Sequence, residues 1–163
     1  MRWKVAILTA SDRGARGERE STSALVIREL VEEELHGEII EDRVVPDEQD
    51  EVMAALIEMS EYFQADLIVT TGGAGLRPRD VTPEATRQVI DREIPGFGEL
   101  IRGRLAERRF PSASFRGTAG LRGNTLIVNL PSKPKGVSDA MMAIMSDLEA
   151  ALVSLRGEED VPE

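Results

Sequence analysis

Hydrophobic and polar positions follow two alternating regimes along the chain. Short apolar runs at Trp3 to Ala10, Ile39 to Val45, Leu67 to Thr70 and Leu126 to Val128 are each closed by a polar, Gly- or Pro-containing segment. Runs of that length with such boundaries read as buried strands. Between them apolar residues recur three and four apart: Ala24, Ile27, Val31 and Leu35, then Val52, Leu56, Met59 and Phe63, and near the end Val137, Met141, Ile144, Leu148, Leu152 and Leu155. That spacing puts them on one face of a helix. Gly37 is expected just past the first helix as its C′ residue. Pro46 stops the second strand and leaves Asp47 placed to cap the helix that follows. Thr82-Pro83-Glu84 reads as a helix start, with Thr82 as N-cap and Pro83 at the first helical position, and Pro95-Gly96 as that helix's end. Phe97, Ile101 and Leu105 mark one more helix, closed near Phe110-Pro111, while Ala113 to Leu121 fits either a short strand or an extended arm.

The β-α-β-α-β order predicts an α/β fold with a mainly parallel, doubly wound sheet covered on both faces. Ligands of such sheets sit beyond the carboxyl ends of the strands. Four segments lie there: Thr9 to Arg19, Pro46-Asp47, Thr70 to Asp80, and Asn129 to Gly136.

Composition narrows what those segments can do. The chain has 163 residues, with 30 acidic against 20 basic side chains, a net charge of −10, one His and no Cys. The length suits one domain over residues 1–156, followed by an acidic tail, 157–163, expected to fray. A chain of this mass can bury roughly two-thirds of its surface, enough for a core without staples. The lack of Cys excludes a disulfide framework, a zinc finger, an iron–sulfur site and a thiol nucleophile. No apolar run approaches the ~20 residues of a membrane helix, and no basic leader precedes the first strand, so a soluble cytoplasmic protein is expected. The acidic balance opposes general binding to nucleic acid or to anionic membranes. Any phosphate must therefore be held locally.

Thr70-Thr71-Gly72-Gly73-Ala74-Gly75 leaves a strand with three glycines in four positions, which lets backbone N–H groups approach an anion. It is neither a P-loop nor a dinucleotide fingerprint, and by composition a purely geometric turn explains it equally well. Asp80, between Arg79 and the helix start, could hold Mg²⁺ or pair with an arginine. Asp47 could be a site residue or only a cap. Ser11 and Asp12 could bind a ligand or form a turn. Lys133, Lys135, Arg116 and Arg122 could neutralise phosphate or remain solvated charges. His36, beside a helix end, is explained by the helix dipole, and Met141, Met142 and Met145 by core or subunit contacts. With no Ser-His-acid arrangement, triad hydrolysis is disfavoured. An anionic nucleophile needs no general base, which suits phosphoryl or nucleotidyl transfer to a phosphate.

Read together, Val5 to Asp12, Val45-Pro46-Asp47-Glu48, Thr71 to Gly75, Pro78 to Thr86, Pro95 to Glu99 and Ala119 to Pro131 closely resemble the molybdopterin adenylyltransferase family of molybdenum-cofactor biosynthesis, in order from residue 3 to about 155. The resemblance implies a three-layer αβα molybdopterin-binding fold, a homotrimer, and Mg²⁺-dependent transfer of AMP from ATP to the terminal phosphate of molybdopterin, with a molybdate-insertion enzyme as a possible partner. It implies that Asp47 and Asp80 are the catalytic, metal-holding acids. For the nucleotide and pterin it implies Thr9, Ser11 and Asp12 after the first strand, and Thr71, Gly72, Gly73, Ala74 and Gly75 in the glycine loop. Arg79, Arg116, Ser132 and Lys133 complete the set. Ala74 stands where the family commonly has Thr, Phe115 where Ser often precedes Arg, and Ser132 where Gly is usual. A non-catalytic molybdopterin-binding or scaffolding trimer is the alternative reading.

Overall fold

The computed structural model describes residues 2–18 and 20–157, so the acidic tail expected to fray lies, from residue 158 on, outside the described residues. Six strands form one sheet: β1 (Trp3–Ala10), β2 (Gly37–Val45), β3 (Leu67–Thr71), β4 (Arg92–Glu93), β5 (Ala119–Arg122) and β6 (Thr125–Leu130). Their order is β2-β1-β3-β6-β5-β4, with β2, β1, β3 and β6 mutually parallel and the β4-β5-β6 edge antiparallel. The helices are α1 (Asp12–Ala15), α2 (Thr22–Leu30, continued by a π-helical turn over Val31–Leu35), α3 (Gln49–Glu61), α4 (Thr82–Val89), α5 (Pro95–Glu107) and α6 (Pro134–Arg156).

Side-chain alternation along β1 divides the core in two. Val5 and Ile7 point toward α2, α5 and α6, while Ala6 and Leu8 point toward α3 and α4. Both faces of β1 and β3 are therefore covered, which is why these strands read as continuous apolar runs. The result is the expected three-layer αβα arrangement. From β1 the chain crosses to β2 on one side and then to β3 on the other, so the strand order reverses between β1 and β3. A crevice opens at their carboxyl ends for that reason.

Several local expectations are corrected. The helix starting at Thr82 ends at Val89, and Pro95 begins α5 at its first position instead of ending α4. Between them Arg92–Glu93 pairs with β5 as a short edge strand. The capping residue of α4 is Val81, and that of α3 is Glu48, so neither Thr82 nor Asp47 serves as a cap. Gly37 is not the C′ residue: His36 takes the left-handed conformation (φ 57°), and Gly37 opens β2. A Cβ there would come within 2.7 Å of Val31 Cγ1 and 2.9 Å of Val5 Cγ2, so glycine is required by packing. The ambiguous stretch resolves as strand only over Ala119–Arg122, in a hairpin with β6 that turns at Gly123 (φ 57°).

Candidate functional site

A cavity of about 630 Å³ lies at the crevice between β1 and β3. The glycine loop after β3 forms its floor, the start of α2 and the Pro131–Pro134 segment one wall, and Leu105, Phe110 and Phe115 an apolar wall. Ser21 caps α2 by accepting from the Ala24 N–H, and Thr9 donates its hydroxyl to the Ser21 oxygen. Thr71 Oγ1 donates to the Pro131 carbonyl at 2.7 Å, joining the ends of β3 and β6.

The glycine loop has an unusual orientation. The carbonyls of Gly72, Gly73, Ala74 and Gly75 accept, in turn, from Thr82 Oγ1 (3.0 Å), the Thr82 N–H (3.0 Å), the Arg116 N–H (2.8 Å) and Arg116 Nε (2.7 Å). Thr82 and Arg116 lie outside the cavity lining, whereas Gly72 to Leu76 line it. In a trans peptide the N–H points opposite to the C=O. The N–H groups of Gly73, Ala74, Gly75 and Leu76 consequently face the cavity as a row of four donors, an arrangement suited to an anion. Positive φ at Gly72 (89°) and Gly73 (72°) makes the turn possible.

Two carboxylates flank this row. Asp47 has Oδ1 beside Gly73 and Asp80 has Oδ2 beside Gly75: a Cβ added to Gly73 would lie 3.3 Å from Asp47 Oδ1, and one added to Gly75 would lie 2.9 Å from Asp80 Oδ2. Asp47 is oriented by Asp12. The Asp12 N–H donates to Asp47 Oδ2 and the Asp47 N–H donates to Asp12 Oδ1, both at 3.0 Å. Asp80 closes its own loop by accepting the Arg77 N–H at 2.9 Å. Burial, and after it the Asp12 and Asp80 charges, push the Asp47 carboxyl up from its ordinary value, against the lowering effect of the Asp12 N–H. A half-buried carboxylate among like charges is stabilised by a bound cation. Among the described residues no group of three or more Asp, Glu or His could hold a metal ion unaided. Mg²⁺ characteristically takes one or two carboxylates and completes its shell with substrate phosphates and water. The donor set of Asp47 and Asp80 beside a loop suited to an anion fits that chemistry.

The remaining residues expected at the site divide between the cavity and its frame. Thr9, Ser11, Thr71, Gly72, Gly73, Ala74, Gly75, Ser132 and Lys133 line the cavity together with Asp47 and Asp80. The Ser11 hydroxyl accepts the Gly14 N–H as the cap of α1, and the Ser132 carbonyl accepts from Ser23 Oγ. Asp12, Arg79 and Arg116 lie behind the lining. Arg79 grips Asp12 with two bonds, Nε to Oδ2 at 2.7 Å and Nη2 to Oδ1 at 3.0 Å, and this hydrogen bonding lowers the Asp12 carboxyl to about 2. Arg116 faces Glu84 and the loop carbonyls. His36 stands at the amino end of β2, at the opposite edge of the sheet. Sequence reasoning missed Thr82 as a loop support, the start of α2, and Leu105 and Phe110 of the apolar wall, of which it singled out Phe115 alone. The Ser21-Thr22-Ser23 run before an amphipathic helix was the available signal for α2.

The sequence and the fold are both similar to those of known proteins. Residues 6–150 match the family described as "probable molybdopterin binding domain". The chain is 41% identical over 142 residues to the molybdopterin adenylyltransferase of Helicobacter pylori strain J99, covering 86% of this chain and 80% of that protein. Against the molybdopterin adenylyltransferase of Escherichia coli K12 it is 34% identical over 152 residues, 92% of this chain and 77% of that one. The crystal structure of the molybdopterin biosynthesis enzyme MoaB from Thermus thermophilus superposes with a TM-score of 0.89 at 44% identity, covering 96% of this chain and 98% of that chain.

Proposed function

The chain belongs to the molybdopterin-binding domain family, and from that premise we propose that it is a molybdopterin adenylyltransferase of molybdenum-cofactor biosynthesis. The reaction joins a terminal phosphate oxygen of molybdopterin to the α-phosphorus of ATP and breaks the α–β phosphoanhydride bond, releasing pyrophosphate. The observation that carries this reading is the row of four cavity-facing amides flanked by the Asp47 and Asp80 carboxylates.

Each part has a physical task. The amides of Gly73 to Leu76 bind phosphate oxygens without introducing a mobile charge, and being pre-oriented they need no reorganisation as charge shifts during transfer. Asp47 and Asp80 would hold Mg²⁺, which when bound neutralises charge on the departing pyrophosphate. Lys133, on the far wall, adds positive charge near the second substrate. The apolar wall at Leu105, Phe110 and Phe115 offers a flat surface for a heterocycle and lowers the local dielectric. Since the attacking phosphate is already an anion, no general base is required, in keeping with the distance of the only His from the cavity. A purely binding relative would have no use for a carboxylate pair beside its phosphate loop. A homotrimer, with delivery of the adenylylated pterin to a molybdate-insertion enzyme, belongs to the same proposal.

The test is pyrophosphate release from ATP and Mg²⁺ with and without molybdopterin, the pterin product being identified by mass. Molybdopterin-dependent release with adenylylated pterin is the expected result. Tight pterin binding without release would instead support the non-catalytic reading.

A further inference from the structure

All four outward-turned carbonyls of the glycine loop are held by two residues, and neither borders the cavity. We infer that Thr82 and Arg116 are positioning residues of the anion site: they never meet the ligand, and they set the direction of the four amides that do. The inference relies on the proposed reaction only for the natural ligand, because such an amide row would hold any diphosphate.

Thr82 carries half of the task. It is buried, donates its hydroxyl to the Gly72 carbonyl and its N–H to the Gly73 carbonyl, and is held from below by a polar chain. Thr86 Oγ1 donates to the Thr82 carbonyl at 2.8 Å, and Asn129 Nδ2 donates to Thr86 Oγ1 and to Thr70 Oγ1, both at 3.0 Å. A fully satisfied buried network of this kind leaves the loop a single orientation. Arg116 carries the other half. Besides the Gly75 carbonyl, its guanidinium reaches the Asp80 carbonyl through Nη2 (2.9 Å) and the Glu84 carboxylate through Nη1 (2.6 Å) and Nη2 (3.2 Å). The planar fork spans both ends of the loop and the first turn of α4 at once, which a lysine ammonium cannot do. Its positive charge is answered by Glu84.

Two roles for Arg116 predict opposite signs. If Arg116 supplied charge to the bound anion, Glu84 would compete with the ligand, and Glu84→Gln would tighten binding. If Arg116 positions the loop, Glu84→Gln loosens the fork and weakens binding. For Thr82, valine keeps the shape but removes the hydroxyl donor, and serine restores it.

The experiment titrates inorganic pyrophosphate into the full-length chain, with the Gly73 to Leu76 amide resonances followed by NMR and each variant's melting temperature recorded. Thr82→Val should weaken binding about tenfold, with Thr82→Ser within about twofold of the wild type. Glu84→Gln and Arg116→Lys should each weaken it about fivefold. The wild-type amide shifts should return in Thr82→Ser and shrink in Thr82→Val. Unchanged affinity in Thr82→Val, tighter binding in Glu84→Gln, or no pyrophosphate binding by the wild type overturns the inference. Should Thr82→Val fail to fold, the sign of the Glu84→Gln effect still decides the role of Arg116, and Thr86→Val, which removes the bond beneath Thr82, tests the other half by the same weakening. A wild type that shows these effects but makes no adenylylated pterin would refute the proposed reaction and leave this inference standing.

Discussion

Gly73→Ala tests the geometry of the glycine loop independently of any substrate. Gly73 sits at φ 72°, where a residue with a Cβ loses roughly 1–2 kcal/mol. The new methyl would also overlap Thr82 Oγ1 and lie 3.3 Å from Thr82 Cβ and from Asp47 Oδ1. Thr82 is only 1% exposed, so its hydroxyl cannot swing into water to make room. Rotating it away leaves the Gly72 carbonyl without its donor, at a cost of about 1–3 kcal/mol. Together these give a destabilisation of about 3 kcal/mol. For a chain of this length that is a fall in Tm of roughly 6–12 °C, measured by circular dichroism at neutral pH. Gly103→Ala is the control: Gly103 lies inside α5 with nothing near its missing Cβ, and alanine should raise Tm by about 2–4 °C. A Gly73→Ala protein melting within about 2 °C of the wild type would refute the account of a loop pinned against Thr82.

Other substitutions separate the remaining roles. Asp80→Asn keeps the size of the side chain and an oxygen for the Arg77 N–H but removes the charge, so turnover should fall by about a hundredfold or more with Tm unchanged; normal turnover would show that Asp80 holds no metal. Lys133→Ala should raise the KM for molybdopterin about fivefold, whereas Lys135→Ala, outside the cavity lining, should not, and equal effects would remove Lys133 from the substrate wall. The Asp12–Arg79 pair gives a pH signature. Because the folded Asp12 carboxyl titrates near 2, below its ordinary value of 3.8, the unfolded chain binds more protons over that interval. The stabilisation is complete above the unfolded value and is lost as pH falls through the folded one. The Tm difference between wild type and Asp12→Asn should thus be constant above about pH 5 and close as pH approaches about 2. A gap unchanged in acid would mean that Asp12 is not the titrating partner.

Much of this architecture was legible in the residues because it depends on local periodicity. Strands buried on both faces must be apolar throughout, so β1, β3 and β6 stood out, and the one-sided faces of α3 and α6 did likewise. The glycine loop was visible because glycine adopts the positive φ of Gly72 and Gly73 without the steric cost a Cβ would bring. The errors fell where two local explanations competed. Pro95 can follow one helix or begin the next, and only the pairing of Arg92–Glu93 with β5 chose between them. Gly37 can end a helix or admit close packing, and the approach of Val5 and Val31 decided for the second.

The sequence by itself determined the order of elements, the identity of the loops at the carboxyl edge and the types of group available there. Tertiary structure decided which of those groups line the cavity and which stand behind it. Asp47 reads as a helix cap or a site residue until Glu48 takes the cap position and β2 brings Asp47 beside Asp12, 35 residues earlier, where each backbone N–H donates to the other's carboxylate. Arg79 and Arg116, which the family resemblance puts at the nucleotide or pterin, are bonded to Asp12, 67 residues away, and to Glu84, 32 residues away, pairings that nothing in the local sequence indicates. Helix and strand formation are governed by neighbours along the chain, and so leave a periodic trace. A hydrogen bond between distant side chains is governed by how the layers pack, and leaves none.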